Sequence, residues 1–354
     1  MTEKLRFGII GCGVIGRLHA EAITSLPDAQ LVAVADIIPE RAQELAEKYH
    51  VKPYSDFHEM LAREQLDVVD ICTPSGQHGE EAILVMRSRR HVIVEKPMDI
   101  SREAIEEMLR VQQEAGVKLA VISQHRFDPV TREVHDLVEE QAFGRLVLGN
   151  AVIPWWRSQA YYDSGAWRGT WELDGGGVLM NQSIHSIDLL QWLMGPVKSV
   201  FAYTDTIVHR METEDVGVAV LRFANGALGT ISATTGAYPG ASTRIEIYGD
   251  KGWALIEGDH LSYLHLARDD SEEVGPYGAG AAKRAQRAET ADKSAAQDPA
   301  ALAIRSHISQ IADMMRAIRA DSTPLLDGYG AKHPVEIILA IYESARTHQE
   351  VTLS

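Results

Sequence analysis

The segment Gly11-Cys12-Gly13-Val14-Ile15-Gly16 constrains this chain more than any other. It follows a short apolar run, Leu5–Ile10, and leads into Arg17–Ser25, whose composition is helical. Between a strand and a helix the three glycines have separate tasks. The first allows a tight turn, the second lets backbone approach a pyrophosphate, and the third lets helix and strand pack closely. The helix start then presents unpaired N–H groups and partial positive charge to an anion.

Asp36 follows the next β-branched run, Leu31–Ala35. A carboxylate at the end of that strand accepts hydrogen bonds from a ribose diol and repels a 2′-phosphate. Gly11, Gly13, Val14, Ile15, Gly16 and Asp36 are therefore expected to bind NAD in preference to NADP. Arg41 also belongs to this cofactor set, because it lies close enough in sequence to meet a 2′-phosphate.

Strand and helix signals alternate through the first third. Pro39–Tyr49 reads as a helix, Val68–Cys72 as a strand, Gly79–Ser88 as a helix and Val92–Val94 as a strand. Ser101 is the expected N-cap of a helix that runs to Ala115 and closes at Gly116, before a strand at Lys118–Ile122. Short apolar strands separated by helices predict a parallel sheet covered on both faces.

Beyond about residue 145 the pattern changes. Arg145–Ile153, Val197–Ile207, Asp215–Phe223, Ala227–Thr234, Thr243–Tyr248 and Trp253–Ile256 read as strands. Asn225-Gly226 predicts a two-residue hairpin turn, and Gly249–Gly252 a second turn, so these neighbours should be antiparallel. The expected fold class is α/β: an N-terminal Rossmann domain over 1–124, then an α+β domain over 125–354 on a mainly antiparallel sheet. Arg268–Pro299 lacks periodicity and reads as a solvated loop or a lid. Helices return at Ala301–Ala320 and Pro334–Thr347, with the C-terminal helices able to pack back on the first domain.

At 354 residues either domain can bury its own core. The net charge of −16 opposes nucleic-acid binding, though a local basic pocket could still take a small anion. Cys12 and Cys72 have no C-x-x-C spacing, so neither a metal site nor a disulfide is expected and both should be buried and reduced. The N-terminus carries no apolar signal core and no run approaches the ~20 residues of a membrane span. No membrane association is expected, and the expected compartment is the cytoplasm.

Two further motifs carry chemistry. Glu95-Lys96-Pro97 ends the fourth strand of the first domain, where strand C-termini face the ligand crevice, and would aim the Lys96 ammonium at the nicotinamide end of the cofactor. Gly175-Gly176-Gly177 opens a helix expected to reach Met194. At helical spacing Asn181, His185 and Asp188 share one polar stripe, beside an apolar stripe of Met180, Ile184, Ile187 and Met194.

Together with Thr73-Pro74 and His78 after the third strand, these motifs resemble the glucose–fructose oxidoreductase/inositol dehydrogenase (Gfo/Idh/MocA) family over nearly the whole chain. The resemblance implies catalysis by Lys96, with His185 as acid/base, and places Thr73, Pro74, His78, Glu95 and Lys96 near the cofactor. It also implies a homotetramer or homodimer formed through the open sheet. Many relatives carry Asp at the position of Asn181. An amide takes no proton, so Asn181 is read as orienting substrate or His185, which argues against an inositol substrate.

Arg157, Tyr161 and Trp167 stand in an aromatic stretch before the glycine run. Aromatic faces suit sugar C–H faces and arginine suits carboxylate or phosphate. The predicted activity is NAD-dependent oxidation of a secondary hydroxyl of a pyranose or its derivative. Two rival readings are a glycoside hydrolase that uses NAD transiently and a non-catalytic NAD-binding sensor. Retention of both Lys96 and His185 argues against the sensor.

Overall fold

A computed structural model describes residues 3–267, 286–287 and 304–353. The chain divides into two compact units: Met1–Gln124 with Thr170–Gly175 and Ala303–Val335, and His125–Gly169 with Gly176–Leu302 and Glu336–Ser354.

The first unit alternates β1 (Leu5–Ile10), α1 (Val14–Ser25), β2 (Ala29–Ala35), α2 (Pro39–Tyr49), β3 (Lys52–Tyr54), α3 (Phe57–Arg63), β4 (Val68–Ile71), α4 (His78–Arg87), β5 (His91–Val94), α5 (Arg102–Ala115) and β6 (Leu119–Val121). The sheet is parallel in the order β3-β2-β1-β4-β5-β6. The strand order reverses between β1 and β4, and in such sheets ligands bind outside the strand C-termini at that point. Val68, Val69 and Ile71 of β4 are wholly buried, as a strand covered on both faces requires. Phe7, Ile9, Ile23, Val34 and Ile93 share a core with Met314 of the helix Ile304–Ala320. Ser101 caps α5 by accepting the Ala104 N–H, and Gly116 closes it in the left-handed conformation (φ 66°).

The second unit holds α6 (Pro129–Glu139), β7 (Leu146–Pro154), α7 (Gln159–Asp163), a π-helical turn (Val178–Ser183), α8 (Ile184–Met194), β8 (Val197–Asp205), β9 (Val216–Phe223), β10 (Leu228–Thr234), β11 (Arg244–Gly249), β12 (Gly252–Glu257), β13 (His260–Leu266), β14 (Gln286–Arg287) and β15 (Val351–Thr352). Its sheet runs β14-β13-β12-β11-β7-β10-β9-β8-β15. Among the described residues only the β7–β10 pair is parallel; the other pairings are antiparallel. In β9 buried and exposed residues alternate, so one sheet face is packed and the other open. Helix α8 packs on β7, and a Cβ on Gly149 would stand 2.6 Å from the Met194 side chain.

Three expectations are corrected. Phe223 donates its N–H to the Ala227 carbonyl, so the Asn225-Gly226 hairpin has a three-residue loop, 224–226. The last helix begins at Gly328 and passes through Pro334 rather than starting there. The polar stripe fails at Asp188, as described below. The aperiodic segment Arg268–Pro299 lies outside the described residues, apart from the two of β14.

Candidate active site

The glycine turn has the geometry that a pyrophosphate needs. Gly11 has φ +93°, and a Cβ there would lie 2.6 Å from the Cys72 carbonyl oxygen. A Cβ on Gly16 would lie 1.9 Å from the Gly11 oxygen, so helix and strand pack as only glycine allows. Gly13 is different: its Cβ position has nothing within 4 Å, which leaves the backbone open to a ligand. Gly13 caps α1 without a side-chain hydrogen bond, Val14 is 75% exposed and Ile15 is half-buried. The first N–H groups of α1 thus face outward for an anion.

Asp36 is fixed from two sides. Its Oδ2 accepts the Cys12 N–H at 2.7 Å and its Oδ1 accepts the Ile38 N–H at 2.8 Å. The carboxylate therefore ties the end of β2 to the glycine turn. Burial, then the Asp36 charge, pushes the Cys12 thiol up to about 12, while Arg17 and Arg41 pull the other way. Arg41 is exposed and its charge reaches this turn. Asp36→Asn keeps the shape and loses the charge, so it is expected to narrow an NAD preference over NADP. Titrating both cofactors into both proteins measures this; a wild type that prefers NADP would give the selection to Arg41.

Beneath the turn lies a buried ion network. His19 of α1 places Nδ1 2.7 Å from Asp70 Oδ2 and Nε2 3.0 Å from Glu95 Oε1. Burial alone would lower the His19 pKa, but Asp70 overrides it and raises it well above the ordinary 6.5. Burial would likewise raise Glu95, yet His19, His307 and Lys96 bring it down to about 2. The Glu95 Oε2 accepts the Lys96 N–H at 3.0 Å, so the network reaches the backbone of the lysine. His78 is buried, with ring nitrogens 2.7 Å from the Pro97 oxygen and 2.9 Å from the Thr73 oxygen. Thr73 donates to Glu81 at 2.6 Å, and Pro74 opens the short turn Ser75–Gln77. Glu95 and His78 thus turn their polar atoms inward and brace the strand ends that carry Thr73 and Lys96.

This network makes stability pH-dependent. The His19 contribution is complete below its ordinary 6.5 and is lost as pH rises through its higher folded value. The Glu95 contribution is complete above its ordinary 4.5 and is lost as pH falls toward about 2. His19→Gln removes the imidazolium that bridges two buried carboxylates, at an expected cost of about 3–5 kcal/mol. Urea midpoints across pH should show the widest gap between variant and wild type from 4.5 to 6.5, narrowing on both sides. A gap that is constant with pH would mean that His19 acts only by packing.

In the second unit a buried carboxylate positions the histidine helix. Glu214 accepts the Gly177 N–H at 3.0 Å and the Leu179 N–H at 2.8 Å, and Tyr342 donates to it at 3.0 Å. A Cβ on Gly177 would lie 1.8 Å from the Glu214 backbone oxygen, and one on Gly176 2.0 Å from the Tyr342 hydroxyl. Burial pushes Glu214 up to about 7 against these hydrogen bonds. The glycines therefore let Glu214 cap the π-helical turn directly. Asn181 lies in that turn and His185 one residue into α8; both are half-buried.

The π-turn alters only the spacing between Asn181 and His185; Asp188, three residues after His185 in regular α-helix, leaves the polar stripe because its carboxylate is paired in the interior. Asp188 is buried and accepts from both Arg126 Nε, at 2.8 Å, and Arg126 Nη2, at 2.5 Å. It is a structural anchor of α8. The apolar stripe is as expected: Met180, Ile184, Ile187 and Met194 are all buried. A second histidine adjoins His185. The His125 ring meets it edge-on with centroids 5.3 Å apart, and His125 Nδ1 lies 2.7 Å from Asp128 Oδ2. Burial would lower His125, but Asp128 raises it above the ordinary value, with help from Asp259 and Asp188.

The aromatic stretch is partly core. Tyr162 is buried and hydrogen-bonds Thr235 at 2.8 Å. Arg157 is buried, whereas Tyr161 and Trp167 are half-buried. Arg168 stacks against both of these rings. Sequence reasoning missed His19, His125, Gln182 and Glu214; apart from the His125–Asp128 contact, their partners lie in remote segments.

The model of an oxidoreductase family with an NAD-binding Rossmann fold matches residues 5–123, and that of the GFO/IDH/MocA C-terminal domain matches residues 131–255. Myo-inositol 2-dehydrogenase of Thermotoga maritima is 31% identical over 288 residues, covering 77% of this chain and 81% of that protein. The WlbA dehydrogenase of Bordetella pertussis, solved with NADH and UDP-GlcNAcA, superposes with a TM-score of 0.86 at 34% identity, covering 99% of both chains. A levoglucosan dehydrogenase solved with NADH and L-sorbose shares the fold, with a TM-score of 0.86 at 24% identity and complete coverage of both chains.

Proposed function

Because the chain belongs to the Gfo/Idh/MocA family of NAD-binding oxidoreductases, we propose that it oxidises a secondary hydroxyl of a pyranose sugar or sugar derivative. The observation that carries this reading is His185, half-exposed at the start of a helix that Glu214 and Arg126 hold in place. The open Gly13 backbone, the uncapped start of α1 and the doubly anchored Asp36 fit a dinucleotide with a free ribose diol.

Bound NAD supplies the acceptor for the hydride that leaves the carbinol carbon. Lys96 donates a hydrogen bond to the reacting oxygen and stabilises its developing negative charge. His185, as neutral imidazole, removes the hydroxyl proton. Asn181 orients the substrate or His185, and Arg157, Tyr161 and Trp167 hold the sugar. The ligands bound in related structures, a sugar nucleotide and a free sugar, bracket the class to be tested.

The open face of the second sheet exposes Tyr203, Val218, Val220 and Leu228, which supports assembly as a homodimer or homotetramer. No helix among the described residues is long and apolar enough to cross a membrane; we place the protein in the cytoplasm. The test is a screen of sugars, sugar acids and nucleotide sugars for NADH formation. Glycoside cleavage without net NADH would favour a hydrolase, and no reaction with any of them would sink the dehydrogenase reading.

A further inference from the structure

The end of β4 stands beside the glycine turn of the first unit. A Cβ on Gly11 would lie 2.6 Å from the Cys72 oxygen and 3.0 Å from the Thr73 nitrogen. Thr73 therefore borders the point where the strand order reverses between β1 and β4. Two groups hold it. Its carbonyl lies 2.9 Å from a ring nitrogen of the buried His78, and its hydroxyl donates to Glu81 Oε2 at 2.6 Å. Glu81 stands in the first turn of α4 and is half-buried, as is Thr73. The Thr73 hydroxyl makes no other hydrogen bond among the described residues.

A hydroxyl has one proton to give and two lone pairs to receive with. Here the proton goes to Glu81, so toward a ligand the Thr73 oxygen only accepts. A protonated Glu81 reverses this: the carboxyl donates to the Thr73 oxygen, and the hydroxyl proton turns to the ligand. Burial pushes Glu81 up to about 7, the Thr73 hydrogen bond opposes this, and the Glu80 charge adds to it. The remaining ionisable groups at this turn are committed elsewhere. Burial holds His78 below its ordinary value between the Pro97 and Thr73 oxygens. Asp99 accepts the Gly79 and Ser101 N–H groups, and Glu95 is bound to His19. Glu80 is exposed on the same helix.

We propose that Glu81 is a positioning residue for the cofactor: it fixes the Thr73 hydroxyl as an acceptor, so that NAD meets Thr73 with a hydrogen-bond donor and not with a phosphate oxygen. The dinucleotide has two such donors on its nicotinamide side, the ribose hydroxyls and the carboxamide N–H. The inference rests on NAD binding by the first unit, which family membership gives, and is independent of the chemistry assigned to the second. It divides the labour at the switch point. The backbone of the glycine turn takes the pyrophosphate, and the end of β4 takes a donor group.

Calorimetric titration of the full-length protein with NADH, NAD and ADP-ribose, on both sides of about pH 7, tests it. Wild-type affinity for NADH should rise about threefold to tenfold as pH passes upward through that value, the scale of one hydrogen bond. Glu81→Gln presents an amide oxygen to the Thr73 proton at every pH, so it should keep the high-pH affinity and lose the pH dependence. Glu81→Leu and Thr73→Val should be flat with pH and as weak as the wild type at low pH. NAD should respond like NADH, because the contact does not depend on the nicotinamide charge. ADP-ribose keeps the ribose and lacks the carboxamide: a retained response assigns the donor to a ribose hydroxyl, a lost one to the carboxamide. Thermal unfolding checks that each variant is folded. Wild-type affinity that falls with pH would make Glu81 a charge set against the pyrophosphate and overturn the proposal. So would a flat wild-type profile, a pH dependence that survives in Glu81→Leu or Thr73→Val, a Glu81→Gln protein no better than Glu81→Leu, or a response confined to NAD.

Discussion

Lys96→Ala is expected to lower turnover by about 10²–10³-fold, the usual consequence of deleting one donor to a developing oxyanion. Cofactor affinity should change little. The difference follows from how the residue is held. The Lys96 N–H is bound by Glu95, which is in turn bound by His19, and Asp70 holds the far side of that imidazole. These contacts hold the lysine by its backbone N–H, so truncating the side chain removes the ammonium, together with its pull on Glu95, and leaves the backbone contacts in place. The glycine turn and Asp36 anchor independently of it. Turnover under saturating sugar and NAD affinity by fluorescence, measured on the same preparation, separate the two quantities. If NAD affinity collapses along with turnover, Lys96 serves the cofactor; if turnover survives on an identified substrate, the assignment to the reacting oxygen is wrong.

What the sequence makes legible here is local and periodic. Glycine spacing, apolar strand runs and the Ser101 and Gly116 caps are short-range signals, and the parallel sheet with its phosphate turn follows from them. The missed elements lack such signals. β3 is three residues with Pro53 at its centre, and two of the three are exposed. β13 is half-buried throughout, so it shows no alternation of the kind β9 has. Pro334 reads as a helix start because proline suits the first turn, but the helix already runs from Gly328.

The site divides along the same line. Lys96, Asn181 and His185 are visible as motif members, whereas the groups that hold them are not. Glu214 reaches Gly177 across 37 residues and Arg126 reaches Asp188 across 62. Asp70 looks like an error in an apolar strand until His19 is placed 2.7 Å from it. The π-turn cannot be read from a hydrophobic period either, and the carboxylate that accepts from Gly177 and Leu179 at its start comes from a distant segment.

His185→Ala is expected to cost about 10²–10⁴-fold in turnover, the range for loss of a general base. The pH profile carries more information than the size of the loss. Neutral imidazole accepts the hydroxyl proton and imidazolium does not, so oxidation by the wild type should weaken as pH falls. That acid limb should vanish in the variant. His125 supplies the internal control. Its ring adjoins His185, and Asp128 favours its charged form. A charged His125 disfavours a second charge on His185 and so extends the neutral imidazole to lower pH. His125→Gln should move the acid limb upward, whereas Asn181→Asp should move it the same way by a different route, a new carboxylate favouring imidazolium. Combining the two should shift the limb further than either alone if both act on His185. Turnover against pH on one substrate, for the wild type and these variants, decides the matter. A His185→Ala protein that keeps the wild-type limb would transfer the base role to His125, the other histidine that the fold of this unit brings to the same place.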